Sequence, residues 1–176
     1  MISRVLESHY LLEQPVHEPD SSILQLNSDL LSFDDTMHSH LPDKEYLFMT
    51  NGLGYLIDSL LISNSSKIKL MNHNGCGRMQ LNILVLQQNL KSVEKDVMLS
   101  RSAQFFDYFQ QGVKAIVEKA KETGGKDMGL NLEEIKILVE LCYSEALQSN
   151  QRDAPAQAKR AMADDILQLT EYMWST

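Results

Sequence analysis

The chain has 176 residues, of which 43% are hydrophobic and 23% charged, so its composition is that of one globular domain or slightly more. Its formal net charge of -8 argues against a general nucleic-acid binder, which needs a basic surface, and against docking to anionic lipid by charge alone. No apolar run approaches the roughly 20 residues that a membrane-spanning helix needs. The two cysteines, Cys76 and Cys142, provide no disulfide framework and favour a reducing compartment.

The first third of the chain predicts three helices. Residues 1–12 carry apolar side chains at loose helical spacing, which indicates a helix that began earlier in a longer chain. After a proline-containing loop, the side chain of Asp20 can cap a second helix. The apolar stripe of that helix consists of Ile23, Leu26, Leu30, Phe33 and Met37. Pro42 opens a third helix, which we expect to run to about Ile62.

The middle of the chain predicts two longer helices. One is expected over about 67–93, where Gly75 and Gly77 bend or interrupt it. Its apolar positions recur at intervals of three and four residues: Met79, Ile83, Leu86, Leu90, Val93 and Val97. The next helix is expected over about 98–123, and Gly124 ends it because glycine readily adopts the left-handed conformation.

Two further helices complete the chain. Asn131 and Glu134 have the spacing of a capping box at the start of the first. The apolar positions expected to be buried in that helix are Ile135, Leu138, Val139, Cys142 and Ala146. Asp153 and Pro155 begin the last helix. Its apolar stripe consists of Ala158, Met162, Ile166, Leu169 and Met173.

These patterns predict an all-α fold. About seven amphipathic helices with short connections are expected to form an antiparallel multi-helix bundle, a segment of a helical rod. No run shows the apolar/polar alternation of a half-buried strand. We expect residues 1–42 to form N-terminal helices leading into the bundle and residues 43–176 to form the C-terminal helical bundle.

The histidines and glycines match no ligand-binding motif. His38 and His40 are two residues apart on a predicted helix, so they diverge and are expected to be surface residues rather than metal ligands. The two glycine pairs are Gly52-x-Gly54 and Gly75-x-Gly77. Both pairs lack the third glycine of a dinucleotide loop and the lysine of a phosphate loop, so close helix packing or a local bend is expected. No metal or other cofactor is therefore predicted.

Possible nucleophiles and acids also lack partners in the sequence. Cys142 lies on an apolar stripe and is expected to be buried, whereas Cys76, between two glycines, is expected to be more exposed. The adjacent acidic pairs are Asp34-Asp35 and Asp164-Asp165. Neighbouring side chains on a helix diverge, so we interpret both pairs as solvated faces rather than as a catalytic dyad.

Other positions leave two interpretations open. Phe105, Phe106 and Phe109 have helical spacing, which favours core packing over a partner-binding stripe. Four polar residues interrupt apolar windows: Asn82, Gln87, Gln88 and Asn89. If buried, they need hydrogen-bond partners; if exposed, they suit a contact with another subunit.

One stretch of the sequence resembles a known protein family. The sequence from Asn82 to Leu90, NILVLQQNL, resembles a segment in the C-terminal part of the exocyst complex component 4 family. The flanking stretches from Gly52 to Ile57 and from Leu99 to Phe106 resemble that family in the same register. The resemblance covers about 50–147.

This resemblance implies a fold and a function. The family consists of helical-rod subunits of the exocyst, a complex that tethers secretory vesicles to the plasma membrane, and it has neither enzymatic activity nor a cofactor. The implied partners are other exocyst subunits, with small GTPases or membrane-fusion proteins contacted indirectly, and the implied location is cytoplasmic, peripheral at plasma-membrane sites of exocytosis. No nucleic acid and no membrane span are expected. The alternatives are a helical adaptor of another pathway and a helical enzyme whose site assembles from distant residues.

The final helix is the first candidate for a partner-binding surface. Tyr172, Met173 and Trp174 are residue types enriched at the centres of protein interfaces. The alternative is that these three side chains only close the bundle.

Overall fold

The computed structural model describes residues 10–174, apart from the side chain of Lys126. Nine α-helical segments occur in this part of the chain: α1 (Ser21–His40), α2 (Asp43–Thr50), α3 (Leu53–Asn64), α4 (His73–Leu90), α5 (Ser100–Gln111), α6 (Val113–Thr123), α7 (Leu132–Cys142), α8 (Ser144–Leu147) and α9 (Ala154–Trp174). Two short 3-10 turns, Ser65–Lys67 and Lys126–Met128, lie between them. Residues 10–174 form no strand, and an isolated bridge joins Tyr10 to Met71. The predicted all-α helical bundle is confirmed.

Three of the helices are capped by the side chain of the residue that precedes them. Asp20 accepts a hydrogen bond from the amide of Ser22 at 2.9 Å, and Asn72 caps α4 in the same way. At the start of α7, Asn131 and Glu134 exchange bonds of 2.8 and 2.9 Å and form the capping box. These bonds satisfy amide groups that have no acceptor within the helix. The predictions for Asp20 and for the capping box are confirmed.

Glycine breaks two of the predicted helices. The prediction of one helix over 42–62 is wrong, because Gly52 has a φ of 85° and separates α2 from α3. The prediction of one helix over 98–123 is also wrong, since Gly112, with a φ of 83°, separates α5 from α6. Gly124 ends α6 in the left-handed conformation, as predicted.

Residues 10–20 form a segment without helix, called the strap, that is hydrogen-bonded to α4 and to Asn72, the residue before α4. The side chain of Asn72 accepts a bond from the amide of Leu12 at 3.2 Å and donates to the carbonyl of Leu12 at 2.8 Å. At the other end of the strap, the amide of Asp20 donates to the buried side chain of Asn82 at 2.8 Å. The strap therefore leads into α1 along a fixed path.

The prediction of a helix over residues 1–12 is wrong for the residues from Tyr10 onwards. They are not helical, because the backbone of Tyr10 bonds to the segment before α4 instead of to its own neighbours. Residues 1–9 of that predicted helix lie outside the described residues.

The core is organised around α5, which packs against α3, α4, α6 and α7. Phe105 and Phe106 are fully buried with an edge-to-face ring contact of 5.1 Å, and Phe109 is also buried, so the core interpretation of this cluster is confirmed. The predicted apolar positions of the α4 region are buried as well: Met79, Ile83, Leu86, Leu90, Val93 and Val97.

The outer helices are buried less completely than their stripes predict. In α1, Ile23 and Leu26 are buried, Leu30 packs partly buried against the core, and Phe33 is exposed. Ala146 is also exposed, because it lies on the separate helix α8, so the prediction that it is buried in the sixth helix is wrong. In α9, Ala158 and Leu169 are buried, and the other predicted stripe residues pack partly buried against the core.

The proposed division at residue 42 stays a prediction. Ile23 and Leu26 of α1 lie in the same hydrophobic cluster as Phe105 of α5. Helix α1 also packs against both α2 and α4, so the helices before and after residue 42 are in contact.

Candidate interaction surfaces

The end of α9 carries the three residues predicted to bind a partner, and the structure separates them. Tyr172 and Met173 are half-buried and pack against the core. Met173 lies so close to Gly125 that a β-carbon there would be 2.7 Å from its Cγ. Trp174 is 79% exposed. Of the three, Trp174 is therefore the residue most available to another protein.

Leu167 extends the exposed apolar face of α9. It is 60% exposed and precedes Trp174 by seven residues, which places both on one side of the helix. The opposite side of α9 packs on α6, α7 and α8. Leu167 was not among the predicted contact residues, although its spacing of seven from Trp174 is visible in the sequence.

A tyrosine holds α9 in place. The hydroxyl of Tyr143, at the end of α7, donates to the carboxylate of Asp165 at 2.6 Å. Burial and this bond raise the pKa of Tyr143 to about 12. Asp165 thus has a structural partner, which differs from its interpretation as part of a solvated face.

A second exposed apolar surface lies on α2. Leu47, Phe48 and Met49 are 63%, 83% and 57% exposed, and they are consecutive residues, so they cover most of the circumference of this helix. We call these three residues the α2 surface. Because three exposed apolar residues are adjacent here, this surface differs from the single scattered apolar residues that are normal on protein surfaces.

Tyr46 anchors α2 to α1. Its ring packs on His38, with 3.9 Å between ring centroids, and its hydroxyl donates to the carboxylate of Asp34. Burial and the bond to Asp34 raise the pKa of Tyr46 to about 12. Asp34, like Asp165, therefore bonds to a tyrosine rather than belonging to a solvated acidic face.

Phe48 lies between two grooves. One groove, of about 630 Å³, lies between α2 and the turn after α4. The other, of about 420 Å³, lies between α2 and the end of α1, where Met37, Leu41 and Met49 line it. The walls of the two grooves contain three lysines and two glutamates: Lys44, Glu45, Lys91, Glu94 and Lys95.

Glu94 differs from the other charged residues of these walls because its carboxylate has backbone partners. It accepts hydrogen bonds from the amides of Gly52 at 3.2 Å and Gly54 at 2.8 Å, so it caps the start of α3. A β-carbon on Gly54 would lie 2.0 Å from Val97, which confirms close packing for Gly54. Gly52 has open space around it, so close packing is not confirmed for that glycine.

The second glycine pair lies inside α4. A β-carbon on Gly75 would lie 1.6 Å from the carbonyl oxygen of Tyr10, so this glycine lets the strap approach the helix. Gly77 has open space around its Cα. Close packing is therefore confirmed for Gly75 but not for Gly77, and α4 continues through both.

The two cysteines differ from their predicted exposure. Cys76 is fully buried and its thiol donates to the carbonyl oxygen of Phe106 at 3.3 Å, so the prediction that it is the more exposed one is wrong. Cys142 is half-buried. Burial raises the pKa of each thiol to about 12, so both are protonated at neutral pH.

His38 and His40 have separate local partners. His38 lies 3.7 Å from Asp34, and the ring of His40 bonds to the hydroxyl of Ser39 at 2.7 Å. Between residues 10 and 174, no group of three His, Cys, Asp or Glu side chains comes together in a way that could hold a metal ion. None of the helices described is long and apolar enough to span a lipid bilayer.

The polar residues of α4 do not all have the same role. Asn82 is fully buried and holds the strap, and Gln87 accepts a bond from the amide of Leu99 at 2.8 Å. Gln88 is exposed. The interpretation as buried residues with hydrogen-bond partners therefore holds for Asn82, whereas Gln88 is available at the surface.

Arg101 joins three helices in a way that the sequence did not predict. Its guanidinium donates to both carboxylate oxygens of Glu134 at 2.7 and 2.8 Å, and to the carbonyl oxygen of Gly129 at 3.3 Å. The backbone amide of Arg101 donates to the buried carboxylate of Asp58 at 3.0 Å. These bonds connect α3, α5 and α7, and the residues involved are too far apart in sequence to form a recognisable motif.

The chain resembles known proteins along its whole length. No protein-family model matches it. It is 41% identical to "Probable exocyst complex component sec8" of Neurospora crassa over 99% of this chain and 19% of that protein. The chain therefore belongs to the exocyst complex component 4 family.

More distant relatives of the chain support the same family assignment. "Exocyst complex component sec8" of Schizosaccharomyces pombe is 31% identical over 77% of the chain, and "Exocyst complex component 4" of Homo sapiens is 27% identical over 69%. The chain spans 19%, 13% and 12% of the lengths of these three relatives, so it corresponds to a fraction of an exocyst complex component 4 protein.

Proposed function

We propose that this chain is a helical segment of an exocyst subunit and takes part in tethering secretory vesicles to the plasma membrane, without enzymatic activity. The observation that supports this function most directly is the 41% identity to an exocyst component over 99% of the chain. The adaptor and enzyme alternatives are not favoured by any of these relatives.

The proposed mechanism is the presentation of helix surfaces to other exocyst subunits. The hydrogen bonds of Asp58, Arg101 and Asn82 fix how the helices lie against each other. A bundle held in this way keeps exposed side chains at constant relative positions, and such preorganisation lowers the entropy lost when a partner binds. Small GTPases and membrane-fusion proteins are then contacted indirectly, at the cytoplasmic side of plasma-membrane sites of exocytosis.

Within α9, Trp174 is the proposed contact residue, with Tyr172 and Met173 as its supports. Trp174 is largely exposed, whereas the other two side chains pack partly against the core and so hold the end of the helix. Tryptophan is among the residues that contribute most to binding at protein interfaces. The net charge of -8 favours a neutral or basic partner for the surface as a whole.

A capture experiment tests the proposed function. The immobilised chain is incubated separately with each of the other purified exocyst subunits, and an unrelated acidic helical bundle is the control. We expect the chain to retain at least one subunit above the control. Retention of none would contradict the proposed function.

A further inference from the structure

The side of α9 that faces away from the bundle carries a seven-residue repeat. This helix of 21 residues packs on α6, α7 and α8 with one side, and residues on its other side recur at alternating intervals of four and three. Such spacing is that of the seam along which two helices pack in a coiled coil. All members of this seam are exposed except the half-buried Thr170: Ala156, Arg160, Ala163, Leu167, Thr170 and Trp174.

The seam is complementary to itself when it is read in the opposite direction. If two α9 helices lie antiparallel with a two-fold axis at the level of residue 165, Trp174 of one copy meets Ala156 of the other. Likewise, Leu167 meets Ala163. Each large side chain is then opposite an alanine, which leaves space for it. A parallel pair in register would instead place large residues against large ones and alanines against alanines.

The charges of α9 favour the same arrangement. Its first half, residues 154–163, has two basic residues and no acidic one, whereas its second half, residues 164–174, has three acidic residues and no basic one. An antiparallel pair brings the basic half of each copy onto the acidic half of the other. Each copy also carries a net charge of -8, but charges more than about 8 Å apart are largely screened at physiological ionic strength. The charges next to the seam therefore outweigh the net charge.

One charge pair is specific for the antiparallel register. Arg160 is level with Thr170 of the other copy and therefore lies beside its neighbour Glu171, and the two-fold symmetry gives this pair twice. Within residues 10–174, Arg160 belongs to no ion pair, so its guanidinium is available to a second copy. Asp164 acts in the other direction, because it lies beside the axis and faces its own counterpart.

We propose that two copies of the chain associate through α9, antiparallel and with the axis at residue 165, so that the large seam residues of each copy pack on the alanines of the other. This association goes beyond the proposed function, which concerns other exocyst subunits. It covers Trp174, so a second copy and a subunit that binds Trp174 exclude each other.

Sedimentation equilibrium of the chain at about 1–100 μM tests this association. We expect a monomer–dimer equilibrium. Leu167→Ala should raise the Kd of the dimer by about tenfold or more. It should not lower the melting temperature, because Leu167 is 60% exposed in the single chain. Leu47→Ala removes a leucine of α2 that is 63% exposed, and as the matched control it should leave the equilibrium unchanged.

Exchange of charges tests the register. Arg160→Glu and Glu171→Arg should each weaken self-association, because each places like charges opposite one another. Mixed in equal amounts, the two variants should form a heterodimer, since their charges are again complementary. Asp164→Asn should strengthen the dimer, because it removes repulsion at the axis. Lys44→Glu, at an exposed position of α2, is the matched control for a change of charge and should have no effect.

Three outcomes would overturn the proposal. They are a chain that stays monomeric throughout this range, a dimer that Leu167→Ala leaves equally stable, and the absence of a heterodimer in the mixture of charge variants. Capture of an exocyst subunit by a chain that stays monomeric would contradict this association alone. Association of a chain that captures no exocyst subunit would support it and contradict only the proposed function.

Discussion

The carboxylate of Asp58 accepts a hydrogen bond of 2.8 Å from the backbone amide of Ser102, so a residue of α3 caps the first turn of α5 from 44 positions away. The other oxygen of the same carboxylate accepts from the amide of Arg101. Asp58 is buried, and its negative charge lies at the positive end of the α5 helix dipole. The central helix of the bundle is thus fixed at its start by a neighbour in space.

Replacing Asp58 tests the importance of this cap. Asp58→Ala leaves two backbone amides without their acceptors in the protein interior, so the free energy of unfolding should fall by about 3 kcal/mol. The measurement is urea denaturation followed by circular dichroism. Asp35→Ala, at an exposed position of α1, is the control and should change the free energy of unfolding by less than about 0.5 kcal/mol. Equal stability of the two variants would show that the Asp58 cap contributes nothing.

The two glycines near the start of α4 should respond in opposite ways to alanine. At Gly75 the new β-carbon would lie 1.6 Å from the carbonyl oxygen of Tyr10, so the strap must move and stability should fall by about 2 kcal/mol. At Gly77 there is open space, and alanine should raise stability by about 0.5 kcal/mol through its better helix propensity. Hydrogen exchange at the Leu12 amide should become faster in Gly75→Ala alone. Unchanged exchange there would mean that the strap does not depend on Gly75.

Whether a contact could be predicted from the sequence depends on how far apart its two residues are along the chain. The capping box of Asn131 and Glu134 spans three positions and could be read directly. The caps that Asp58 and Glu94 provide involve amides 40 or more positions away, and no local pattern marks them.

Glycine shows the same limit of sequence analysis. Gly77 continues a helix, whereas Gly112, at a φ of 83°, breaks one, although both lie in helical patterns. Glycine tolerates either conformation, and tertiary packing selects between them.

The candidate surfaces were predicted only in part, because exposure is decided by which neighbours cover a side chain. Trp174 could be selected by residue type, but the α2 surface could not, since its three consecutive apolar residues fit a buried helix equally well.

The apolar stripe on α4 predicts that replacing one leucine by alanine lowers stability strongly and that replacing another lowers it little. Leu86 is fully buried, and Leu86→Ala should lower the free energy of unfolding by about 3 kcal/mol through lost burial and a cavity. Leu84, two residues earlier, is exposed and serves as the control; Leu84→Ala should be close to neutral. Chemical denaturation of both variants gives the comparison. A larger loss at Leu84 than at Leu86 would place the stripe on the wrong side of α4.

Stability should also depend on the tyrosine that holds α9. Burial and the bond to Asp165 raise the pKa of Tyr143 from its ordinary value of 10.0 to about 12. Because the folded protein holds this proton more tightly than the unfolded chain, the contribution is complete below about pH 10 and is lost as the pH rises to about 12. The free energy of unfolding should therefore fall less steeply over this range in Tyr143→Phe than in the unaltered chain. Identical pH dependence of the two proteins in denaturant titrations would exclude this role for Tyr143.

We propose that exposed side chains of this bundle bind other exocyst subunits, while the hydrogen bonds between its helices hold its shape. The most direct measurement is quantitative mass spectrometry of the exocyst subunits that co-purify with the full-length protein carrying Trp174→Ala, with Tyr55→Ala as the exposed aromatic control. We expect Trp174→Ala to lower the recovery of at least one subunit at unchanged melting temperature, whereas Tyr55→Ala, at a residue that is 69% exposed, should not. Full recovery of every subunit with Trp174→Ala, or a loss of recovery that only follows a loss of stability, would contradict it.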